Sequence, residues 1–485
     1  MRRCPFLLSA LLAGFLVHPL AASESDEETS RGYAIVVSRA TQADAEWQKA
    51  SAALEQKHQG AVLVYEKDVA EVLPDLQKRM PRYTCFAARP EEASRQFVAD
   101  VHRLTRKFDD DPYTDTLWGI LTGYDAANAL AIAQDSQALE IQRVASGTEI
   151  SLECCPEGMW YSELKPAEMV RKKPGDTPRH ETGPQDTTQA LADALNVYKA
   201  QLFVSSGHAT ERDWQIGYGF RGGQFRSHAG QLTAIDTEGR EFEINAPEPK
   251  VFLPVGNCLM GHIDGPDAMA LAYMRSAGVR QMIGYTVLTW YGYAGWGCLD
   301  YFVEQPGRFT LAEAFFANEQ SLLHRLETEH PDLADQDPPP GSAASSPASA
   351  SPRRRVGLSS QAGAGLSHDR DVLAFYGDPA WEARLAPGTL RWEQTLTHEP
   401  SPNGGDELYT LTIRPLAGAD SFAPVNTNGS QRGGRPIVQL LPRRLSDIKI
   451  VAGAELRPLI TDDFVLVPLP AASDGKELRV VFSGK

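Results

Sequence analysis

The sequence has no excess of positive charge and, beyond its first residues, no long apolar run. Its formal net charge is −16, which argues against a nucleic-acid backbone as partner, since such partners attract basic surfaces. No segment after the amino terminus is long and apolar enough to be a transmembrane helix. We therefore expect neither nucleic-acid binding nor a membrane span in the mature chain.

Residues 1–23 have the outline of a secretory signal peptide. Arg2 and Arg3 form a positive start, and residues 6–17 form an apolar core too short for a mature transmembrane helix. Small residues follow at the expected cleavage site near Ala22 or Ser23. An uncleaved anchor is the alternative. The mature protein is expected to be secreted or periplasmic.

Cysteine is also scarce, with six in 485 residues. Cys4 lies in the signal, and the remaining odd number indicates one thiol kept free outside the cytoplasm. If Cys258 is that thiol, the other four either form two disulfides or stay buried and reduced. These four are Cys85, Cys154, Cys155 and Cys298.

Apolar runs alternate with helix-forming segments over much of the chain. Runs at residues 33–37, 61–65 and 83–88 are typical of strands separated by helices, which predicts an α/β fold with a mostly parallel sheet and helices on both faces. We divide this region into an N-terminal α/β subdomain at residues 31–150 and a second α/β subdomain at residues 151–330. Residues 171–185 are rich in charge, Pro and Gly and are predicted to be a loop.

A Pro-, Ala- and Ser-rich stretch follows the second subdomain. Residues 331–366 cannot bury a core and are predicted to be a disordered linker. Order is expected to return at residues 367–387, which we assign back to the α/β domain. Residues 388–485 carry short alternating runs separated by turn residues, which predicts a β-sandwich.

An acidic run at residues 109–115 offers the hard oxygen ligands that calcium prefers. It lacks EF-hand spacing, so a solvated loop is the preferred interpretation and a calcium site is the alternative. Under that alternative, calcium would be a structural ion, and the chemistry is expected to need no metal or other cofactor.

Two apolar runs in the second subdomain each end at a residue with catalytic chemistry. The run at residues 200–206 stops at Gly207-His208, and the run at residues 250–255 stops at Gly256-Asn257-Cys258. Functional groups in open α/β sheets gather beyond the carboxyl ends of strands. A thiol and an imidazole supply a nucleophile and its general base. We therefore expect these two side chains to face one crevice.

His262 is the rival base because it lies four positions after Cys258. A helix would bring positions i and i+4 together. Gly261 and the following Gly265-Pro266 favour a loop instead, so His208 remains the preferred partner of the thiol.

The flanks of these residues resemble those of gingipain-type cysteine peptidases. Residues 207–214, GHATERDW, are similar to the stretch around that family's catalytic histidine. Residues 258–284 resemble its second landmark, a cysteine followed by a helix and a G-A-V-x-x-I-G strand. Residues 115–121 and 375–380 resemble an upstream strand and a closing Gly-Asp-Pro motif. The pentapeptide motif that surrounds the catalytic cysteine of caspases is absent from this sequence.

The resemblance implies a caspase-like α/β domain at residues 151–330, an immunoglobulin-like sandwich, and an endopeptidase that works through a Cys-His dyad and an acyl-enzyme. Cys258 would be the nucleophile and His208 the general base and acid. The backbone amides of Ala209 and Cys258 would form the oxyanion hole. The family has glycine where this chain has Ala209.

Substrate-cleft residues are suggested by the same comparison. Gingipains select basic side chains with acidic residues, and Glu211, Asp213 and Asp264 are candidates here. The aromatic candidates for the cleft, which are equally plausible as core residues, are Trp214, Trp290, Tyr291 and Trp296.

Two functions therefore stand side by side. The preferred one is an exported cysteine endopeptidase whose partner is a protein or peptide substrate. The alternative is a catalytically inactive caspase-like surface or binding protein that uses the sandwich for attachment. A cytosolic caspase relative conflicts with the predicted signal peptide.

Overall fold

The computed structural model describes residues 32–341, 358–400, 407–469 and 475–485, and the predicted signal peptide lies outside these ranges. The strands, in chain order, are β1 (Tyr33–Ser38), β2 (Ala61–Tyr65), β3 (Tyr83–Ala87), β4 (Leu117–Leu121), β5 (Leu139–Ile141), β6 (Arg143–Ser146), β7 (Glu157–Tyr161), β8 (Glu168–Lys172), β9 (Arg179–Thr182), β10 (Leu202–Ser205), β11 (Asp213–Gln215), β12 (Gln224–His228), β13 (Gln231–Ile235), β14 (Glu241–Glu243), β15 (Lys250–Pro254), β16 (Val279–Tyr285), β17 (Leu373–Tyr376), β18 (Ala383–Leu385), β19 (Trp392–Pro400), β20 (Glu407–Pro415), β21 (Ile437–Leu440), β22 (Lys449–Ala452), β23 (Leu459–Ile460), β24 (Phe464–Val467) and β25 (Leu478–Gly484). The α-helices are Arg39–Ala43, Ala45–His58, Leu73–Arg79, Arg95–Leu104, Ala126–Gln134, Thr188–Asn196, Met269–Ser276, Tyr293–Phe302, Leu311–Glu329, Pro331–Ala334 and Leu358–Asp369.

Twelve strands form one sheet in the order β2-β1-β3-β4-β17-β16-β15-β10-β6-β7-β8-β9. Its neighbours run parallel except at β16–β17, β7–β8 and β8–β9. All residues of β1 and β15 are buried, as expected for parallel strands in an α/β protein. The predicted α/β fold with a mostly parallel sheet is confirmed.

The sheet runs without a break through both predicted subdomains. β6 belongs to residues 31–150 by sequence, yet it lies between β10 and β7 of the other half. β17, from residues 367–387, lies between β4 and β16 and joins the halves. The order of strands along the chain does not determine their order across the sheet, so the division at residue 150 marks no structural boundary.

Two predictions of irregular structure are wrong in part. Residues 171–185 include the end of β8 and all of β9, which pair antiparallel and extend the sheet edge. The predicted linker at residues 331–366 contains the short helix Pro331–Ala334 and most of the helix Leu358–Asp369. Strand pairing orders the first of these polar stretches, and helix packing orders parts of the second. Residues 342–357 lie outside the described ranges.

The C-terminal region contains two antiparallel sheets, β19-β20-β25-β22 and β21-β24-β23. Buried residues of both sheets form one apolar cluster, in which Leu411 and Phe482 meet Val465 and Val467. This arrangement agrees with a β-sandwich, while immunoglobulin-like connectivity stays a prediction. Among the helices that the structure describes, none is long and apolar enough to cross a membrane.

Candidate active site

The strands that precede His208 and Cys258 are direct neighbours in the sheet. β10 and β15 pair in parallel with Ser205 opposite Pro254, so both chains leave the sheet at the same edge. His208 and Cys258 line one cleft of about 580 Å³ at that edge. A larger cavity of about 800 Å³ lies elsewhere, near Tyr293, and contains neither residue.

Asn257 connects the two loops that carry these residues. Its side chain is buried; Oδ1 accepts a hydrogen bond from Ser205 Oγ at 2.6 Å, and Nδ2 donates to the Gly207 carbonyl at 2.9 Å. Its own carbonyl accepts from Thr289 Oγ1 at 3.1 Å. The side-chain amide of Asn257 thus joins the loop that carries Cys258 to the loop that carries His208. No local sequence pattern indicates this role, although Asn257 stands beside the predicted nucleophile.

The thiol of Cys258 lies in a polar and partly exposed position. Its Sγ accepts a hydrogen bond from the Thr289 N–H at 3.3 Å, and it also faces the Thr289 carbonyl at 3.8 Å. The next residue, Leu259, has a φ of +61°, a left-handed conformation that is rare for a bulky side chain and turns the chain sharply behind the thiol.

The other cysteines in the described residues are buried and unpaired. Neither of the two disulfides considered from the sequence forms, because all five described cysteines are free. Burial raises the pKa of Cys154 to about 12 and raises that of Cys85, Cys155 and Cys298 further. Among the described cysteines, only Cys258 is accessible to a substrate.

His208 is exposed and extends from a glycine turn. Gly207 has a φ of +100°, a conformation that favours glycine because it lacks a Cβ. The imidazole lies 5.0 Å from the ring of Tyr218, measured between centroids. The backbone carbonyl of His208 accepts from the Gln215 N–H at 2.9 Å, which anchors the loop on the small antiparallel sheet β11-β12-β13-β14.

Two backbone amides beside the dyad have no protein partner in the described part of the chain. They are the N–H groups of Ala209 and Cys258, although Thr210 N and Leu259 N next to them bond to Asp213 O and Val287 O. Ala209 itself faces Trp214 in an isolated bridge. Donors left open beside a nucleophile are what an oxyanion hole needs, and that role stays a prediction.

The predicted cleft residues divide into two groups. Trp290 and Trp296 line the cleft. Trp214 does not, because it is fully buried on β11 and its Nε1 donates to Ser206 O at 2.7 Å. Glu211 is also outside the cleft and lies 3.1 Å from His262 Nδ1. The assignment of Trp214 and Glu211 to the cleft is therefore wrong.

The other acidic and basic candidates are engaged elsewhere. Asp213 pairs with Arg226 at 2.6 Å, and Asp264 pairs with Arg212 at 2.5 Å. His262 lies between Glu211 and Arg95 and does not line the cleft. It is therefore not placed to act on Cys258.

Glu163, just after β7, is the acidic residue that lines the cleft. Thr148 Oγ1 donates to its Oε1 at 2.7 Å, whereas no described donor reaches Oε2 with hydrogen-bonding geometry. Burial raises the pKa of this carboxyl. Nothing in the local sequence marks Glu163, because its approach to His208 depends on strand order across the sheet.

Residues of two further regions complete the cleft. Gln361 comes from the helix Leu358–Asp369, and Asn428 to Ser430 come from the C-terminal region. The residues that line the cleft are Glu163, Leu164, Ser206, Gly207, His208, Tyr218, Gly256, Cys258, Thr289, Trp290, Trp296, Gln361, Asn428, Gly429 and Ser430.

The predicted calcium ligands also come together. One oxygen each from Asp109, Asp111 and Asp115 lies within 4.8 Å of the others. Burial raises the pKa of Asp115 to about 9 and that of Asp111 to about 6. Acidic groups can cluster without binding an ion, so calcium binding stays a prediction.

Comparison with known proteins adds little to this geometry. No protein-family profile and no curated protein sequence matches the chain. A solved structure named "Structure of Protease" aligns over 79% of this chain and 85% of its own, with 10% identity and a TM-score of 0.41. At that level of similarity the match does not assign a family, and the gingipain resemblance stays a resemblance.

Proposed function

We propose that this protein is an exported cysteine-type endopeptidase. The observation that carries the proposal is the joint position of Cys258 and His208 in one cleft, with Asn257 bridging their loops. An accessible thiol that receives an N–H, and an exposed imidazole at the same rim, are the parts that nucleophilic catalysis needs.

The reaction follows acyl transfer. His208 takes the proton of the Cys258 thiol, and the sulfur attacks the carbonyl carbon of the scissile peptide bond. The amides of Ala209 and Cys258 stabilise the oxyanion, and His208 gives its proton to the leaving amine as the C–N bond breaks. Water, deprotonated by His208, then cleaves the thioester and regenerates the thiol.

We further propose that Glu163 favours a basic side chain in the substrate. Glu163 lines the cleft, and a carboxylate in such a poorly solvated position is stabilised by a cation that brings several N–H groups. An acidic substrate side chain would instead meet like charge in a poorly solvated site. Cleavage after Arg or Lys is therefore expected over cleavage after Asp.

The test combines a peptide library with an active-site label. The protein should cleave after a defined residue and react with a peptidyl acyloxymethyl ketone, and Cys258→Ala and His208→Ala should each abolish both results. Cys298→Ala and His228→Ala are matched controls, because Cys298 is buried and His228 is exposed away from the cleft.

Two outcomes would contradict the proposal. Full labelling of Cys258→Ala would exclude this nucleophile. Absence of cleavage by the reduced protein, with or without calcium, would favour the binding protein that keeps the scaffold and no activity.

A further inference from the structure

A loop of the C-terminal sandwich forms one wall of the cleft that contains Cys258. The loop connects β20 to β21, and its residues Asn428, Gly429 and Ser430 line the cleft beside Trp296. Gly429 has a φ of +96° and lies so close to the indole that a Cβ would overlap it. The loop and the indole therefore form one continuous surface.

Buried charges hold this loop on the α/β domain. Asp300 binds Arg432 Nε at 2.7 Å and Arg435 Nε at 3.1 Å. Glu304 binds the other end of Arg432 and accepts from Val425 N at 3.2 Å. The four charged side chains are at most 7% exposed. Removing one member of such a cluster leaves its partner buried and unpaired, which is costly, so the loop is firmly attached.

The backbone of the wall has unused hydrogen-bonding groups. Asn428 O accepts from Arg432 Nη1 at 3.1 Å, and Gln431 O accepts from Arg435 Nη2 at 2.7 Å. Between them, Gly429 C=O lies in a hydrogen-bonded turn that closes at Arg432, whereas the N–H groups of Gly429 and Ser430 and the C=O of Ser430 make no hydrogen bond within the described ranges. The loop backbone is thus held at both ends, and the open groups between these ends belong to two residues that line the cleft.

We propose that Gly429 and Ser430 bind the main chain of the peptide substrate. An extended peptide adds to open backbone donors and acceptors through main-chain hydrogen bonds, with little dependence on its side chains. The inference rests on the proposed peptidase function. It makes the C-terminal sandwich a part of the substrate-binding unit and not a separate attachment module.

Ser430→Trp in the full-length protein tests the wall, because a large side chain there obstructs the approach of a peptide to the backbone of Gly429 and Ser430. The matched control is Ala419→Trp, at an exposed position of the same loop outside the cleft. We expect Ser430→Trp to lower kcat/KM for a library-derived peptide about tenfold or more, mainly through KM. Alkylation of Cys258 by iodoacetamide, which needs no peptide wall, should change less than about twofold.

A second variant keeps the proposal testable if Ser430→Trp does not fold. Arg432→Lys keeps the charge but loses the planar fork that reaches both Asp300 and Glu304. KM should rise while the iodoacetamide rate is retained. An unchanged KM in both variants would contradict the proposed binding of the peptide main chain by the wall, and it would leave the proposed peptidase function unaffected. If Cys258 of the wild-type protein is alkylated but the protein cleaves no peptide, both the proposed peptidase function and the proposed peptide-binding wall are contradicted.

Discussion

Asn257 Nδ2 donates to the Gly207 carbonyl at 2.9 Å. This bond joins the residue directly before Cys258 to the residue directly before His208, which are 50 positions apart along the chain. The distance between the thiol and the imidazole therefore depends on a buried amide that is itself outside the chemistry. Asn257 is a positioning residue in the proposed mechanism.

Asn257→Ala should separate positioning from reactivity. It leaves Gly207 O and Ser205 Oγ without their partner, at a cost of about 1–3 kcal/mol of unfolding free energy. We expect kcat for peptide cleavage to fall about 100-fold, as for a small misplacement of reacting groups. Iodoacetamide should still alkylate Cys258. Urea denaturation and steady-state kinetics measure the two effects.

Ser205→Ala is the control for this variant. It removes one of the two bonds to the Asn257 side chain and leaves the link to Gly207, so a loss of about 1 kcal/mol with activity retained is expected. If Asn257→Ala keeps full kcat, the bridging amide has no part in catalysis.

Glu163→Gln should remove the preference for basic residues. The neutral amide keeps the shape of the carboxylate and loses its charge. We expect kcat/KM for peptides with Arg or Lys at the cleavage site to fall about 10- to 100-fold, equivalent to about 1.4–3 kcal/mol. Peptides with a neutral residue there should be affected little. Library profiling of both proteins measures the change.

Glu181→Gln is the matched control, because Glu181 is exposed on β9 at the sheet edge. An unchanged preference in Glu163→Gln would show that another group selects the substrate.

Gly207→Ala tests the turn that carries His208. The φ of +100° is unfavourable for a residue with a Cβ, by about 1–2 kcal/mol. Gly239→Ala introduces alanine at a φ of +81° with no neighbouring atom within 4 Å, in a turn remote from the cleft. Both variants should lose stability in thermal unfolding, whereas only Gly207→Ala should lose activity. Equal activity of the two would mean that the turn does not orient the imidazole.

Asp369 predicts a pH dependence of stability. Burial raises its pKa to about 7, while Tyr285 Oη and Ala294 N donate to Oδ2 at 3.2 and 3.1 Å. The folded state keeps this proton at pH values where the unfolded state, with a pKa of about 3.9, has lost it. The contribution of protonated Asp369 to the free energy of unfolding is therefore fully present below about pH 4 and is lost as the pH rises through about 7.

Asp369→Asn should flatten this part of the stability profile. Guanidinium denaturation between pH 4 and pH 8, with the exposed Asp420→Asn as control, measures the slope. A slope that Asp369→Asn leaves unchanged would assign the titration to another group.

Local pattern predicted much of the α/β domain. The apolar run at residues 250–255 is β15, Lys250–Pro254, and the loops after β10 and β15 carry His208 and Cys258 as expected. These features follow from residue types at short range, because apolar runs form buried strands and glycine ends them. The resemblance to gingipains suggested Trp214 as a cleft residue, but the small antiparallel sheet buries it.

By itself, the amino-acid order determined the apolar strands that lead to the two loop ends and the residue types able to carry the chemistry. Only the tertiary structure decided which groups surround them. Asn428 reaches Thr148 across 280 positions, and Glu163 and Ser430 join the same cleft through the order of strands and the packing of the sandwich. Such contacts arise from the pairing of distant segments, which no local periodicity encodes.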